Sequence, residues 1–295
     1  MRAAVIGRGL AGLSSAFFLS QKGYKVTLFD KDALPKSASS VASGLCHPYP
    51  GRDGKPSKFA KEALAETTAL LEHVEKVSGT SHAKRIAFLR KNKEIPLSYP
   101  DLEQVEDGTL IHSGLLFDME SYLKALFLAI PDLTFTQKEV SLSDPLPEFS
   151  SVVFALGGGF QKERIDLPLQ YIKGQVLIAS TAEKFERPIL GNGHLIPLGE
   201  GKVLLGSTYE HHFTDDLPDL ESAQNLLRKR LSTFLPSFDS FVPLSAKSGI
   251  RVAQKGSYLP YLTKLDEKRF IYTGLGSRGL LYHALYGRLL AEMVG

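Results

Sequence analysis

The chain has 295 residues, of which 43% are hydrophobic and 23% charged, enough for one large domain or two small ones with buried cores. Its net charge of +3 permits an anionic partner without requiring one. The single cysteine, Cys46, excludes a disulfide framework within the chain, and no apolar run is long enough to cross a membrane. We therefore expect a cytoplasmic protein without membrane contact.

The N-terminal stretch AAVIGRGLAGLSSAFFLSQKGYKVTLFDKD combines two predicted strands, a glycine turn and a helix. Residues 3–6 form a short apolar run that is typical of a buried parallel strand. Apolar residues then recur at helical spacing over 13–20, until Gly23 ends the predicted helix. Residues 24–29 predict a second strand, which ends at Asp30. The order strand, turn, helix, strand within about 30 residues is that of a dinucleotide-binding unit.

Each glycine of the G-x-G-x-x-G pattern has its own expected role. Gly7 allows the tight turn, Gly9 lets a pyrophosphate approach the backbone, and Gly12 lets helix and strand pack closely. The helix N-terminus offers free N–H groups and a positive dipole to the phosphates. Asp30 lies 18 residues after Gly12, where a carboxylate can accept both hydroxyls of a ribose. We therefore predict an adenine-dinucleotide site rather than a purely structural turn.

The middle of the chain predicts a second set of elements. Amphipathic helices are expected at 57–77 and 219–235, where apolar residues recur at helical spacing. Three apolar segments separated by glycine-containing turns indicate an antiparallel sheet. These segments are GQVLIAS (174–180), GHLIPLG (193–199) and KVLLGST (202–208).

Two later segments repeat the pairing of a strand with a glycine turn. One is SSVVFALGGG at 150–159, and the other is a C-terminal strand at 270–273 followed by a glycine turn at 274–279 and a helix. Three such units far apart in sequence indicate one nucleotide-binding domain assembled from distant segments. The N-terminus of the last helix can aim its dipole at an anionic ring such as a reduced flavin. This favours FAD, and disfavours an NAD-dependent dehydrogenase.

Segments along nearly the whole chain resemble, in the same order, those of the FAD-dependent amino acid and amine oxidases of the D-amino acid oxidase (DAO) superfamily. The closest resemblance is to glycine oxidases and to the oxidase half of the bifunctional tRNA 5-methylaminomethyl-2-thiouridine biosynthesis protein. The ending GSRGL is more similar to the tRNA-modifying group. The matching segments are VIGRGLAGLSSAFFLSQKGYKVTLFDKD, SASSVASGLCHPYPGR, GLLFDMESYLKAL, VVFALGGG, IKGQVLIA, GHLIPLGEGKVLLGSTYE, GIRVAQKGSYLP and TGLGSRGLLYHALYGRLLAEM.

The resemblance implies an α/β fold with two parts. One is a FAD-binding, Rossmann-like domain of the glutathione reductase type, expected as discontinuous segments 1–70, 118–165 and 245–295. The other is an inserted α+β substrate domain with an antiparallel sheet, expected at 71–117 and 166–244.

The resemblance also implies a set of contacts with non-covalently bound FAD. Some relatives bind flavin through a cysteine near the segment RVAQKGSYLP, which has none here, so Cys46 is expected to be a small packed residue. The residues expected to contact FAD are Gly7, Gly9, Leu10, Ala11, Gly12, Asp30, Lys31, Ala38, Ser39, Ser43, Gly44, Leu45, Val140, Ala155, Gly157, Leu275, Gly276, Ser277, Arg278, Gly279, Leu280 and Leu281.

The same resemblance implies the reaction and assigns Arg251 to the substrate carboxylate, to which a guanidinium offers two parallel donors. The reaction is oxidation of the C–N bond of an amino acid or a carboxymethyl-type amine. Hydride passes from the α-carbon to flavin N5, the imine is hydrolysed, and O2 is the expected electron acceptor. The substrate is a small-molecule amine or amino acid, or the carboxymethylaminomethyl group of a tRNA wobble uridine. The alternative is a catalytically decayed or non-oxidase flavin-binding protein, and the oligomeric state stays open.

Other conspicuous residues have structural interpretations. The adjacent histidines at 211–212 point to opposite faces after a strand and have no third ligand nearby, so no metal site is expected. Tyr209 and Tyr258 are expected to pack rather than to cap a pocket. The basic clusters AKRIAFLRKNK (83–93) and LLRKRL (226–231) are interpreted as solvated faces rather than surfaces for RNA, because aromatic residues are not interleaved with the charges.

Overall fold

A computed structural model of the chain contains five α-helices and seventeen β-strands among the residues that it describes. Those residues are 1–33, 37–51, 54–91 and 99–295. Arg52, which ends the small-residue segment SASSVASGLCHPYPGR, lies outside them, as do the last two residues of the cluster at 83–93. The helices are α1 (Leu10–Gln21), α2 (Ala60–Ser78), α3 (Met119–Leu128), α4 (Leu220–Leu231) and α5 (Gly279–Val294).

The strands divide among three sheets of six, eight and three strands. In chain order they are β1 (Arg2–Ile6), β2 (Lys25–Asp30), β3 (Leu45–Cys46), β4 (Ala83–Arg85), β5 (Phe88–Arg90), β6 (Leu102–Val105), β7 (Gly108–Ile111), β8 (Leu115–Phe117), β9 (Thr134–Gln137), β10 (Ser151–Phe154), β11 (Leu169–Ser180), β12 (Ile189–Gly191), β13 (Gly193–Gly199), β14 (Lys202–Gly206), β15 (Val242–Gln254), β16 (Tyr261–Lys264) and β17 (Arg269–Thr273).

The six-stranded sheet brings the three predicted strand-and-glycine units together. Its order is β16-β17-β10-β1-β2-β9, in which only β16 is antiparallel to its neighbour. Strands β1, β10 and β17 are adjacent, and glycines follow each of them at Gly7, Gly157 and Gly274. Because these strands are parallel, all three turns leave the same edge of the sheet, where α/β folds bind their ligands.

Helices α1, α2, α3 and α5 form one continuous hydrophobic core with this sheet. Helices α1 and α5 approach closely at Gly287, where an added Cβ would lie 2.9 Å from Ser14 Cβ. The Thr67 hydroxyl of α2 donates to the carbonyl oxygen of Leu280 at 3.1 Å and so ties α2 to the first turn of α5. These contacts fix the start of α5 relative to the glycine turn that precedes it.

The eight-stranded sheet has the order β15-β11-β14-β13-β12-β5-β7-β6, and all its pairs are antiparallel except β12 with β5. It contains the three predicted segments of the middle region as β11, β13 and β14, although β11 begins earlier, at Leu169. Helix α4 packs Leu227 and Leu231 against one face of the sheet. The mixed α/β fold with an antiparallel second sheet is therefore confirmed.

The expected domain boundaries cross two continuous elements. Residue 70 lies inside α2, whose Leu71 and Val74 share the core of α1 and α5. Residue 245 lies inside β15, which pairs with β11 from Val242 to Gln254. The division into a FAD-binding and a substrate domain stays a prediction, with α2 and β15 as the elements that the two parts would share. None of the helices in the described part of the chain is both long and apolar enough to span a lipid bilayer.

His283 lies on α5 and is fully buried on the side of the helix that faces the core. Its Nδ1 lies 3.0 Å from the carbonyl oxygen of Leu280, which can only accept, so Nδ1 carries the proton. Its Nε2 therefore accepts from the Tyr122 hydroxyl at 2.7 Å, and the ring is neutral. Burial lowers the pKa of His283 to about 4. A buried neutral histidine makes the folded state sensitive to acid.

We predict that His283 makes stability fall below pH 6.5. Its folded-state pKa is depressed, so only the unfolded chain takes up this proton as the pH falls from about 6.5 towards 4. The free energy of unfolding should drop by about 1.4 kcal/mol per pH unit from this residue. Urea unfolding at several pH values should show a shallower slope for His283→Gln, and an unchanged slope for His212→Gln at an exposed position. Equal slopes for all three proteins would contradict this role.

Candidate cofactor and substrate site

One cavity of about 2890 Å³ runs from the glycine turns of the six-stranded sheet to β15 of the eight-stranded sheet. It is larger than the 300–1,000 Å³ of a usual small-molecule pocket. Gly12 does not line the cavity; it packs against the carbonyl group of Gly7 within the turn. The predicted residues that line the cavity are Gly7, Gly9, Leu10, Ala11, Asp30, Lys31, Ala38, Ser39, Ser43, Gly44, Leu45, Val140, Ala155, Gly157, Arg251, Leu275, Gly276, Ser277, Arg278, Gly279, Leu280 and Leu281.

The first glycine turn is too tight for side chains at two of its positions. Gly7 has a φ of +108°, and an added Cβ would overlap the carbonyl oxygen of Ala155. A Cβ at Gly12 would overlap the carbonyl oxygen of Gly7 itself. Helix α1 can therefore begin directly against the end of β1 only because both positions are glycine.

The N-terminus of α1 offers unpaired donors to the cavity. Gly9 caps the helix without a side-chain hydrogen bond, and the N–H of Leu10 donates to Ser39 Oγ at 3.1 Å. Within the described part of the chain, the N–H groups of Ala11 and Gly12 have no acceptor. First-turn N–H groups cannot bond within their own helix. The cradle thus has the donors that a pyrophosphate requires.

Asp30 is held in place at the end of β2 by backbone donors. The N–H of Arg8 donates to Asp30 Oδ2 at 2.7 Å, and the N–H of Asp32 donates to Oδ1 at 3.0 Å. The Arg8 guanidinium donates to the carbonyl oxygen of Ala33 and lies 4.2 Å from the ring centroid of Phe127. Each carboxylate oxygen keeps a second acceptor position, so the group can receive two ribose hydroxyls.

The turn before α5 also bounds the cavity. Gly274 and Gly276 have φ values of +73° and +54°, which favour glycine. The N–H of Gly276 donates to the carbonyl oxygen of Val252 at 2.7 Å, which ties this turn to β15. Helix α5 then begins at Gly279, without a side-chain cap. Its positive end faces the cavity, as the sequence predicts for a flavin that becomes anionic on reduction.

A small-residue segment crosses the cavity close to β15. A Cβ at Gly249 would lie 2.8 Å from Val41 Cγ2 and 2.9 Å from Ala38 Cα, so glycine is needed for this approach. Ser43 of the same segment is hydrogen-bonded to His194 Nε2 of β13 at 2.7 Å. Burial, and then the charges of nearby arginines, lower the pKa of His194 to about 3. His194 is therefore a neutral polar group in the cavity wall.

Arg251 lies on β15 with its guanidinium packed over Gly174 of β11, where an added Cβ would lie 2.6 Å from Cζ. Its Nη1 donates to Ser207 Oγ at 3.1 Å, and its Nη2 donates to the carbonyl oxygen of Thr208 at 2.5 Å. The ring centroid of Tyr209 is 4.6 Å from Cζ. The buried Nε has no acceptor among the residues that the structure describes. Burial lowers the pKa of Arg251 from its usual value.

Two further cavity residues that the sequence analysis did not select, His47 and Arg90, come from distant elements. His47 follows β3, and burial and then the charges of Arg90 and Arg278 lower its pKa to about 3. Arg90 is buried, and its guanidinium donates to the carbonyl oxygens of Tyr49 and Gly51.

The interpretation of the basic clusters as solvated faces is wrong for two of their members. Arg90 of the first cluster and Arg230 of the second both line the cavity. The helical periodicity of α4 was the signal for Arg230, because it places this residue on a different side from the exposed Arg228 and Lys229.

Two aromatic residues and the cysteine also line the cavity. Tyr209, 42% exposed, contacts Arg251, and Tyr258, 77% exposed, lies with its ring centroid 4.2 Å from Arg278 Cζ. Both tyrosines stand at the cavity wall rather than in the core. Cys46 is buried, and burial raises the pKa of its thiol to about 12, which keeps it neutral.

The chain is similar to a tRNA-modifying protein in sequence and to two oxidases in structure. It is 23% identical to the tRNA 5-methylaminomethyl-2-thiouridine biosynthesis bifunctional protein MnmC of Leptospira interrogans, over 99% of this chain and 57% of that protein. The chain thus spans little more than half the length of this curated relative. Several solved structures match 99% of the chain. Among them are glycine oxidase from Bacillus cereus (TM-score 0.79, 19% identical, 94% covered) and iminodiacetate oxidase from Chelativorans sp. BNC1 (TM-score 0.83, 17% identical, 95% covered).

The structural matches, at these identities, show the shared fold. The family match goes further, because residues 2–293 agree with the DAO family, described as FAD dependent oxidoreductase. The glycine cradle, Asp30 and the N-terminus of α5 lie on one cavity, as a dinucleotide such as FAD requires. The chain belongs to the DAO family of FAD-dependent oxidoreductases.

Proposed function

We propose that the protein oxidises the C–N bond of an amine that carries a carboxylate. The observation that carries this proposal is the single cavity that joins the glycine cradle and the N-terminus of α5 to the buried donors of Arg251. The cavity thus has donors for a dinucleotide at one end and a cation for an anionic substrate at the other.

The residues present fit FAD along the whole cradle. The N–H groups of Ala11 and Gly12 would donate to the pyrophosphate, and Asp30 would accept from the ribose hydroxyls. The first turn of α5 would face the flavin ring. Binding would be non-covalent, since the Cys46 thiol stays protonated and is a weak nucleophile.

When bound, FAD supplies a hydride acceptor at N5 for the substrate α-carbon, and O2 returns it to the oxidised form with release of hydrogen peroxide. The chain itself supplies binding and orientation. Arg251 would pair with the substrate carboxylate, and Nε would then find the acceptor that the described residues do not provide. His194 and His47 also line the cavity, and both are neutral, so they offer polar contacts to a substrate without adding positive charge to that of the arginines.

A modified tRNA is a second candidate substrate. The matched relative is named for tRNA 5-methylaminomethyl-2-thiouridine biosynthesis, and a carboxymethylaminomethyl uridine carries the same carboxylated amine. A flavin-binding protein without oxidase activity is the remaining alternative. It would bind FAD by the same cradle but would not transfer hydride from any carboxylated amine.

We predict that the purified protein binds FAD and that acid or heat releases it completely. Asp30→Ala should weaken FAD binding at least about 10-fold, because two charge-assisted hydrogen bonds to the ribose are lost. Fluorescence titration of the apoprotein with FAD measures this affinity. Asp107→Ala, at an exposed turn between β6 and β7, is the matched control and should leave it unchanged. A protein that takes up no FAD would contradict the proposal.

We predict that Arg251→Ala raises KM by about 100-fold or more for a carboxylated amine, because the substrate anion loses its partner in a buried site. Arg251→Lys should restore only part of the affinity, since an ammonium lacks the fork of parallel donors. Steady-state peroxide production measures both variants. Lys247→Ala, exposed on the same strand, should keep the wild-type KM. An unchanged KM in Arg251→Ala would remove Arg251 from the substrate site.

A further inference from the structure

Two arginines from different elements meet at the substrate end of the cavity. Arg251 comes from β15 and Arg230 from α4. Their Cζ atoms lie 4.6 and 6.0 Å from the ring centroid of the same residue, Tyr209, and both side chains line the cavity. The two guanidinium groups are therefore within the reach of one small molecule.

Like charges this close repel each other, and the repulsion contributes to a lower pKa of Arg251. The pKa of Arg251 is lowered first by burial and also by the charge of Arg230, while Tyr209 and Glu210 act in the opposite direction. The Glu210 carboxylate itself accepts from Thr208 Oγ1 at 2.5 Å and from Gln175 Nε2 at 3.2 Å. The Glu210 carboxylate is thus partly stabilised by these two donors, and not by the arginines alone.

Other titratable groups also line the cavity, among them His194, Asp215 and Asp216. His194 is neutral, and Asp215 is hydrogen-bonded to Lys173 Nζ at 3.4 Å. Arg228, two residues before Arg230 on α4, is exposed, forms an ion pair with Asp239 at 2.9 Å and is not among the residues that line the cavity. Helix α4 therefore presents Arg230, and not Arg228, to the cavity.

We propose that Arg230 forms a second anion subsite and that the substrate is a small amine with two anionic groups. The carboxylate beside the oxidised C–N bond binds Arg251, and a second carboxylate binds Arg230. This proposal rests on the proposed function and narrows its substrate class. A small dicarboxylic amine is favoured over RNA phosphates because both guanidinium groups line the cavity and lie within 6.0 Å of one ring centroid, rather than along an exposed stripe.

The test uses the FAD-loaded protein and two thioethers that cannot be oxidised as amines. Thiodiacetate carries two carboxylates, and (methylthio)acetate carries one on an otherwise similar skeleton. Isothermal titration calorimetry should give a Kd for thiodiacetate that is at least about 10-fold lower, the gain expected from one charge-assisted contact. Arg230→Gln should abolish this preference, and Arg230→Lys should keep part of it. Arg228→Gln, the matched control on the same helix, should retain the full preference.

The outcomes separate this inference from the function on which it rests. Equal affinities for the two thioethers, both weakened by Arg251→Gln, would overturn the second subsite and leave the proposed function standing. An unchanged preference in Arg230→Gln would also overturn it. If neither thioether binds the FAD-loaded protein, both the carboxylate site and the second subsite are wrong. A preference for a tRNA anticodon stem-loop over thiodiacetate, lost in Arg230→Gln, would replace the small dicarboxylic amine by RNA.

Discussion

The close packing of backbone on backbone at the edge of the parallel sheet is the constraint on which the site depends. Gly12 lies against the carbonyl of Gly7, and Gly7 lies against the carbonyl of Ala155, so β1, α1 and β10 meet without side chains between them. This packing leaves the first N–H groups of α1 open to the cavity. Any side chain at these positions would separate helix from strand and close the space that a pyrophosphate needs.

The rest of the fold places a cationic group, the Arg251 guanidinium, at the other end of the cavity from that cradle. Strand β15 pairs with β11 and accepts a hydrogen bond from the Gly276 N–H of the turn before α5. Arg251 of β15 and the turn predicted to face the flavin are therefore held by the same strand. Two segments also pack closely at Gly249 of β15, because the absence of a side chain there leaves room for the small-residue segment that contains Ser43. Strand pairing and the Gly276 hydrogen bond thus fix the position of Arg251 relative to the turn before α5. Orientation of this kind is the protein's main contribution to flavin chemistry.

Local pattern predicted the fold well and the substrate end poorly. The strand before Gly7 and the helix after it follow from residues that are neighbours in sequence, and Asp30 follows from a fixed spacing. Arg230 was missed because the basic run was interpreted as one solvated face, although helical periodicity separates Arg230 from the exposed Arg228 and Lys229. His194 was missed for a different reason: its pKa and its bond to Ser43 exist only after two remote segments meet.

We propose that one cavity holds FAD beside an arginine-bound carboxylated amine. Anaerobic mixing of the FAD-loaded protein with glycine, sarcosine, iminodiacetate and a carboxymethylaminomethyl-modified tRNA tests this arrangement, with visible flavin absorbance as the readout. We expect at least one of the carboxylated amines to bleach the flavin, and Arg251→Ala to slow this bleaching at subsaturating substrate. A flavin that stays oxidised with all four compounds would show that the arrangement is wrong.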